Sequence, residues 1–265
     1  MMIKRLFSRR WWWSTLLVIA ACIVMVRLGL WQLDRMEWKR AITAQQRENL
    51  AAETLVLDAN TLQTDLESQR FRSVVVRGEY DMTEQVGWRN QVWEGLPGYH
   101  LITPLRIEGT NTAILINRGW VPVAKYFEGE PIFPMEGTVE VAGMILSGQI
   151  ETGIGYQQDP IPFAGTNLNT WNLINIPRID EQIEDYDLLP VFIQQAADPT
   201  LPANPAEWPE SALPYAGLPT IQLDEGPHLG YAIQWFTFAL ILAIGYPLFI
   251  RQEDKSEPVV KSSHE

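Results

Sequence analysis

The sequence predicts a membrane protein in which two transmembrane helices flank a β-rich, mostly antiparallel α+β domain on the extracytoplasmic side. Three observations carry this expectation. Uncharged apolar runs stand near both ends of the 265-residue chain, and basic residues cluster outside both of them. From Phe71 onward the long segment between them changes to short β-branched and aromatic stretches separated by turn residues.

The run from Leu229 to Ile250 carries no charge, and about twenty such residues suffice for a helix to cross roughly 30 Å of hydrocarbon. Near the other end MMIKRLFSRRWWW leads into an uncharged stretch from Ser14 to Val26, and after Arg27 the apolar character resumes in LGLWQL. Lys4, Arg5, Arg9 and Arg10 precede the first span, and Arg251, Lys255 and Lys261 follow the second. The positive-inside rule therefore puts both termini in the cytoplasm and the intervening chain across the membrane. The expected organisation is a basic cytoplasmic start (1–10), a first span (11–33), a helical stalk (34–50), the β-rich extracytoplasmic domain (51–227), a second span (228–250) and a cytoplasmic tail (251–265). SRRWWW and IAAC resemble twin-arginine and lipoprotein processing signals. A cleaved signal gives way to polar chain, however, whereas Ile23 to Val26 keep the run apolar. Cys22 is the only cysteine, so the outer domain must hold together without an intrachain disulfide.

Between Asp34 and Pro227 there are 28 acidic and 12 basic residues. Nucleic-acid binding is excluded as an expectation, because phosphates require a cationic surface. From Ile179 to Glu225 there are ten acids and no base, which reads as a solvated surface or a dock for a cationic partner.

Trp31 to Asn49 lacks Gly and Pro and extends the first span as the stalk. Trp31 and Trp38 suit the membrane interface. FRSVVVRGEY, QVGWRN, YHLITPLRI, TAILINRGWV, GTVEVAGMIL, TWNLINI and VFIQQAAD read as strands, with EGTN as a hairpin turn and Pro104 at an edge or bulge. Five or six of these strands are expected to form an antiparallel sheet, with curling into a barrel as an option. PRIDEQIEDY reads as a short helix, and the proline-rich stretch from Pro199 to Pro219 as irregular surface chain.

No glycine-rich phosphate loop, Cys/His metal cluster or G-x-S-x-G nucleophile elbow occurs. The acids show no paired placement, so binding rather than catalysis is expected. Of three histidines, His264 lies in a charged tail and His100 on a strand, where a hydrogen-bonded structural role is expected. His228 stands at the threshold of the second span, with Tyr231 and Trp235 following at helical spacing.

LGLWQLDRMEWK, FRSVVVRGEYD, INRGWVP and HLGYAIQWF, in this order between two spans, resemble the Surfeit locus protein family of cytochrome c oxidase assembly factors. The resemblance implies a membrane-anchored chaperone that helps haem a reach the oxidase's catalytic subunit, by transient haem binding or handover. It implies His228 as a ligand of haem iron, with Tyr231 and Trp235 beside the macrocycle; an imidazole in an interfacial aromatic belt is the structural alternative. It also points to Arg118, Trp120, Gln32, Arg35 and Lys39 as contacts to a propionate, the partner subunit or lipid. The implied partners are the catalytic subunit, haem a synthase and membrane lipid. The alternative from another class is a scaffold that binds the oxidase subunit without binding haem. The short basic start favours a bacterial inner membrane with the central domain in the periplasm over a mitochondrial inner membrane.

Overall fold

Helix α1 runs unbroken from Trp12 to Ala51 in a computed structural model that describes residues 6–126, 132–150, 159, 167–221 and 223–256. The chain divides into two units, one made of its two ends, Met1–Gln45 with Leu223–Glu265, and the other of Gln46–Gln222.

In the first unit α1 pairs with the C-terminal helix, labelled α3 (His228–Ser256). The stalk is a continuation of α1, as expected from a stretch rich in helix formers and free of Gly and Pro. Contacts along the pair run in opposite directions on the two helices, so the helices are antiparallel. Ser14 Oγ and Thr15 Oγ1 meet the Tyr246 hydroxyl at 2.7 and 2.9 Å. Cys22 Sγ approaches the Ala239 carbonyl at 3.7 Å, and Gly29 lies against the Phe236 ring. Small residues and inter-helix hydrogen bonds hold helices together where no hydrophobic drive separates them from lipid. Both helices are long and apolar enough to cross a membrane, with mean hydropathies of 2.2 and 1.8 over their most apolar windows. Only 6% and 11% of those windows is buried, and Leu17, Ile23, Ile233 and Ile241 are all exposed. A core helix of a water-soluble protein would cover such side chains.

The second unit is built on eight strands: β1 (Leu55–Leu57), β2 (Ser73–Tyr80), β3 (Val86–Trp93), β4 (Leu96–Ile107), β5 (Thr112–Pro122), β6 (Thr138–Ser147), β7 (Thr170–Trp171) and β8 (Asp187–Gln195). Their order is β1-β2-β6-β8-β5-β4-β3-β7, and β4 pairs with β2 as well. That extra seam closes β2, β6, β8, β5 and β4 into a barrel. Most pairs are antiparallel; β1–β2, β3–β7 and β5–β8 are parallel. Gly78 is required at the closure, since a Cβ there would drive into the Arg106 carbonyl across the β2–β4 seam.

Two hydrophobic clusters share the barrel wall. One joins Val74, Val76, Leu105, Ile114, Ile116, Val141, Val191 and Ile193. The other packs Ile102, Leu115 and Phe192 against Trp171, Ile174, Ile176 and Ile179 around the short helix α2 (Ile176–Asp180). Strand β5 feeds both clusters and is buried from Ala113 to Val121. Its nearly continuous apolar run follows from having no solvent face.

Four local expectations need correction. Pro104 is at neither an edge nor a bulge of its pairing with Leu115. It sits in central strand β4, between the segment paired with β3 and the segment paired with β2, where no neighbour needs its missing N–H. TWNLINI is a strand only at Thr170 and Trp171, because the N–H groups of Asn172 and Leu173 donate to the buried Asp159 carboxylate at 2.7 and 3.1 Å. PRIDEQIEDY is helical only to Asp180, whose carboxylate accepts the Leu188 N–H at 2.7 Å and turns the chain into β8. The first strand is β1, ahead of Phe71.

Candidate functional site

His228 is delivered by a tight turn. Asp224 Oδ1 accepts the Gly226 N–H at 2.8 Å, Gly226 adopts φ +75°, and Pro227 then leads into α3. The Pro227 carbonyl accepts the Tyr231 N–H at 3.2 Å and closes the first helical turn. His228 Nδ1 meets Gln32 Oε1 of α1 at 2.8 Å. With the amide oxygen as acceptor, Nδ1 is the donor, and in the neutral imidazole Nε2 then keeps its lone pair. A Cβ on Gly226 would stand 3.2 Å from Nε2, so glycine leaves that nitrogen uncrowded. A hydrogen-bond partner on one ring nitrogen is the arrangement that orients an imidazole as a metal ligand through the other. Two residues 196 positions apart, both in the motifs that carry the family resemblance, thus meet in one hydrogen bond.

The other predicted residues of this region are more dispersed. Trp235 is half-buried, edge-on to Phe238, while Tyr231 is 49% exposed. The Arg35 guanidinium lies 3.9 Å over the Trp38 ring, and Lys39 is half-buried. Arg40 Nε pairs with Glu225 Oε2 at 2.9 Å, beside the turn that positions His228. Among the described residues no cluster of three His, Cys, Asp or Glu side chains is placed to hold a metal ion.

In the barrel, the INRGWVP motif is a built bulge. Leu101 pairs with Gly119 and Ile102 with Asn117, which leaves Arg118 as the extra residue of β5. Gly119 supplies φ +126°. Fully buried Asn117 fastens the bulge: its Oδ1 accepts from the Gly119 N–H at 3.1 Å and contacts His100 Nδ1 at 3.0 Å, and its Nδ2 donates to Gln194 Oε1 at 2.7 Å. His100 is hydrogen-bonded on a strand as expected, and burial lowers its pKa against the raising effect of the Asn117 bond.

Arg118 is 3% exposed. It donates to the Phe133 carbonyl at 2.6 Å and to Met82 Sδ at 3.7 Å, and lies over the Tyr80 ring. Burial pulls its pKa below the ordinary arginine range and pushes the Tyr80 phenol up to about 12. Trp120 is buried, and its Nε1 finds no partner among the described residues. It stacks with Trp93 and Tyr215, and Trp93 meets Trp208 at 5.3 Å. Backbone hydrogen bonds of 3.0 and 2.9 Å between Trp120 and Tyr215 stitch the proline-rich segment onto β5. Sequence reasoning missed Trp93, Trp208 and Tyr215; the one signal for Trp208 and Tyr215 was aromatic side chains set in chain otherwise read as surface.

Comparison with known proteins gives a consistent picture. The sequence model of the SURF1 family matches residues 19–240. A SURF1-like protein of Monosiga brevicollis is 28% identical over 246 residues, covering 87% of this chain and 85% of the relative. Human Surfeit locus protein 1 is 24% identical over 225 residues, covering 79% and 68%. The cytochrome oxidase assembly protein SHY1 of Saccharomyces cerevisiae is 29% identical over 103 residues, covering 39% and 26%.

Proposed function

The chain belongs to the SURF1 family, and from that premise we propose that it is a membrane-anchored assembly factor of cytochrome c oxidase. In this reading it helps haem a reach the oxidase's catalytic subunit. Helices α1 and α3 embed the protein in a bacterial inner membrane, with both ends cytoplasmic and the barrel unit in the periplasm. The match to a yeast protein named for cytochrome oxidase assembly supports the process, and the exposed apolar surface of both helices supports the anchor. Haem a synthase and the catalytic subunit are the donor and acceptor that such a role requires.

The observation that carries the haem reading is the 2.8 Å contact between His228 Nδ1 and Gln32 Oε1. Haem iron supplies an axial coordination position that takes a neutral imidazole nitrogen. Gln32 holds the Nδ1 proton and so keeps Nε2 as the acceptor, while Gly226 leaves room beside it. Trp235, two turns further along α3, offers an aromatic surface on the half-buried side. No bond in the cargo is made or broken, so the role is holding and handover rather than catalysis.

The test is the absorption spectrum of detergent-purified protein from cells that make haem a. The intact protein should carry haem a, and His228→Ala should lose it. Gln32→Leu should lower haem affinity by roughly 10- to 100-fold, the usual cost of removing the hydrogen-bond partner of a ligating histidine. Identical haem in the His228→Ala protein removes the ligand assignment. A colourless protein that still co-purifies with oxidase subunits from cells unable to make haem a would instead make it a scaffold.

A further inference from the structure

Among the described residues, nothing that Arg118 touches balances its charge. Its two hydrogen-bond acceptors, a carbonyl oxygen and a thioether, are neutral, and so is the Tyr80 ring beneath it. Among the described residues no carboxylate pairs with it. A guanidinium has five N–H donors, and two of them are engaged by described residues. A cation held away from water without an anion is costly, and an anion that arrives beside it relieves that cost.

The structure also provides a place for the anion. A hollow of about 200 Å³ opens at Arg118, walled by Met135, Ala196, Leu201, Ala212 and Pro214. A single water needs about 15 Å³ of such space, so the hollow admits a group of several heavy atoms. Gln195 and Asp198 add polar groups to this lining; Asp198 is exposed, with Oδ1 held by the Thr200 N–H and hydroxyl at 2.8 and 2.7 Å. We propose that this hollow is a binding site for a carboxylate on a short apolar stem, the carboxylate pairing with Arg118 and the stem lying against Met135, Leu201 and Pro214. The bulge in β5 then has a purpose beyond shape, because it turns one arginine into the wall of a pocket. This site goes beyond the haem reading and stands without it.

The same chemistry is carried by a free short-chain acid and by a glutamate side chain on a protein segment. Saturation-transfer NMR on the detergent-purified full chain, with butyrate as probe and butanol as its neutral match, tests the site. Butyrate should bind and butanol should not. Arg118→Met should weaken butyrate at least tenfold, with partial recovery in Arg118→Lys. Ala212→Phe, which adds bulk to another lining residue of the hollow and leaves Arg118 in place, should abolish binding in a protein whose near-UV circular dichroism is unchanged. Equal binding of butyrate and butanol, or full butyrate binding in Arg118→Met or Ala212→Phe, overturns the proposal. Competition with acetyl-Ala-Glu-Ala-amide then identifies the source. Displacement by the peptide at lower concentration than free butyrate supports a protein segment, and the reverse order supports a small acid.

Discussion

Gly119→Ala is the sharpest test of the bulge that presents Arg118 and Trp120. A methyl group on Gly119 would lie 2.5 Å from the Tyr215 carbonyl oxygen and 2.6 Å from the Ala216 nitrogen, both backbone atoms that no rotamer change can move. To relieve the clash the chain around Tyr215 must retreat, breaking the two backbone hydrogen bonds it makes with Trp120. Each such bond contributes about 0.5–1.5 kcal/mol net. Alanine at φ +126° adds strain on the order of 1–3 kcal/mol. The combined loss is about 4 kcal/mol, and at about 2–4 °C per kcal/mol for a unit of this size the unfolding midpoint should fall by roughly 8–16 °C. The assay is thermal unfolding of the detergent-purified chain followed by near-UV circular dichroism, to which the stacked Trp93, Trp120 and Tyr215 contribute. A midpoint within about 2 °C of the parent, with an unchanged near-UV band, would show that the 215 segment is not held on β5 as described.

Two further outcomes follow from the site geometry. Burial depresses the His100 pKa below its ordinary 6.5, so the unfolded chain takes up a proton that the folded chain refuses. The stability this group contributes is full above about pH 6.5 and is lost as pH falls through the folded-state pKa; His100→Gln should flatten that part of a denaturation-midpoint series. Gly226→Ala strains a φ of +75° and sets a methyl 3.2 Å from His228 Nε2; haem a per protein in the purified sample should drop several-fold, and unchanged loading would mean that the cargo does not approach that nitrogen.

The strands were legible where local composition decides them. SVVVRGEY and TAILINRGWVP declare themselves by β-branched runs, and the ends of the chain by length and lack of charge. Barrel closure is not legible in the sequence, because the β2–β4 seam joins Gly78 to Ile107, a pairing that no local period encodes. The shortened strand at Thr170 depended on a distant carboxylate, Asp159, taking the backbone donors that a ladder would otherwise use. Asn117 looked like one more polar residue in a strand, and only the folded chain brings His100, Gly119 and Gln194 to its amide. His228 stands out by its place at the threshold of the second span and Gln32 only through a family motif, and no local pattern joins the two, because the hydrogen bond that unites them belongs to the helix pairing. His264, expected in a charged tail, lies outside the described residues.

A ring of five strands has no loose end from which to fray. Opening one seam leaves the strands still laced through the others, so two seams must part before any of them can come away. Amide hydrogens of β2, β4, β5, β6 and β8 should therefore exchange with heavy water in a single concerted event, while β1 and β7, each hanging from one neighbour, flicker open on their own. Whatever the barrel unit grips, it grips with a frame that unravels all at once or not at all.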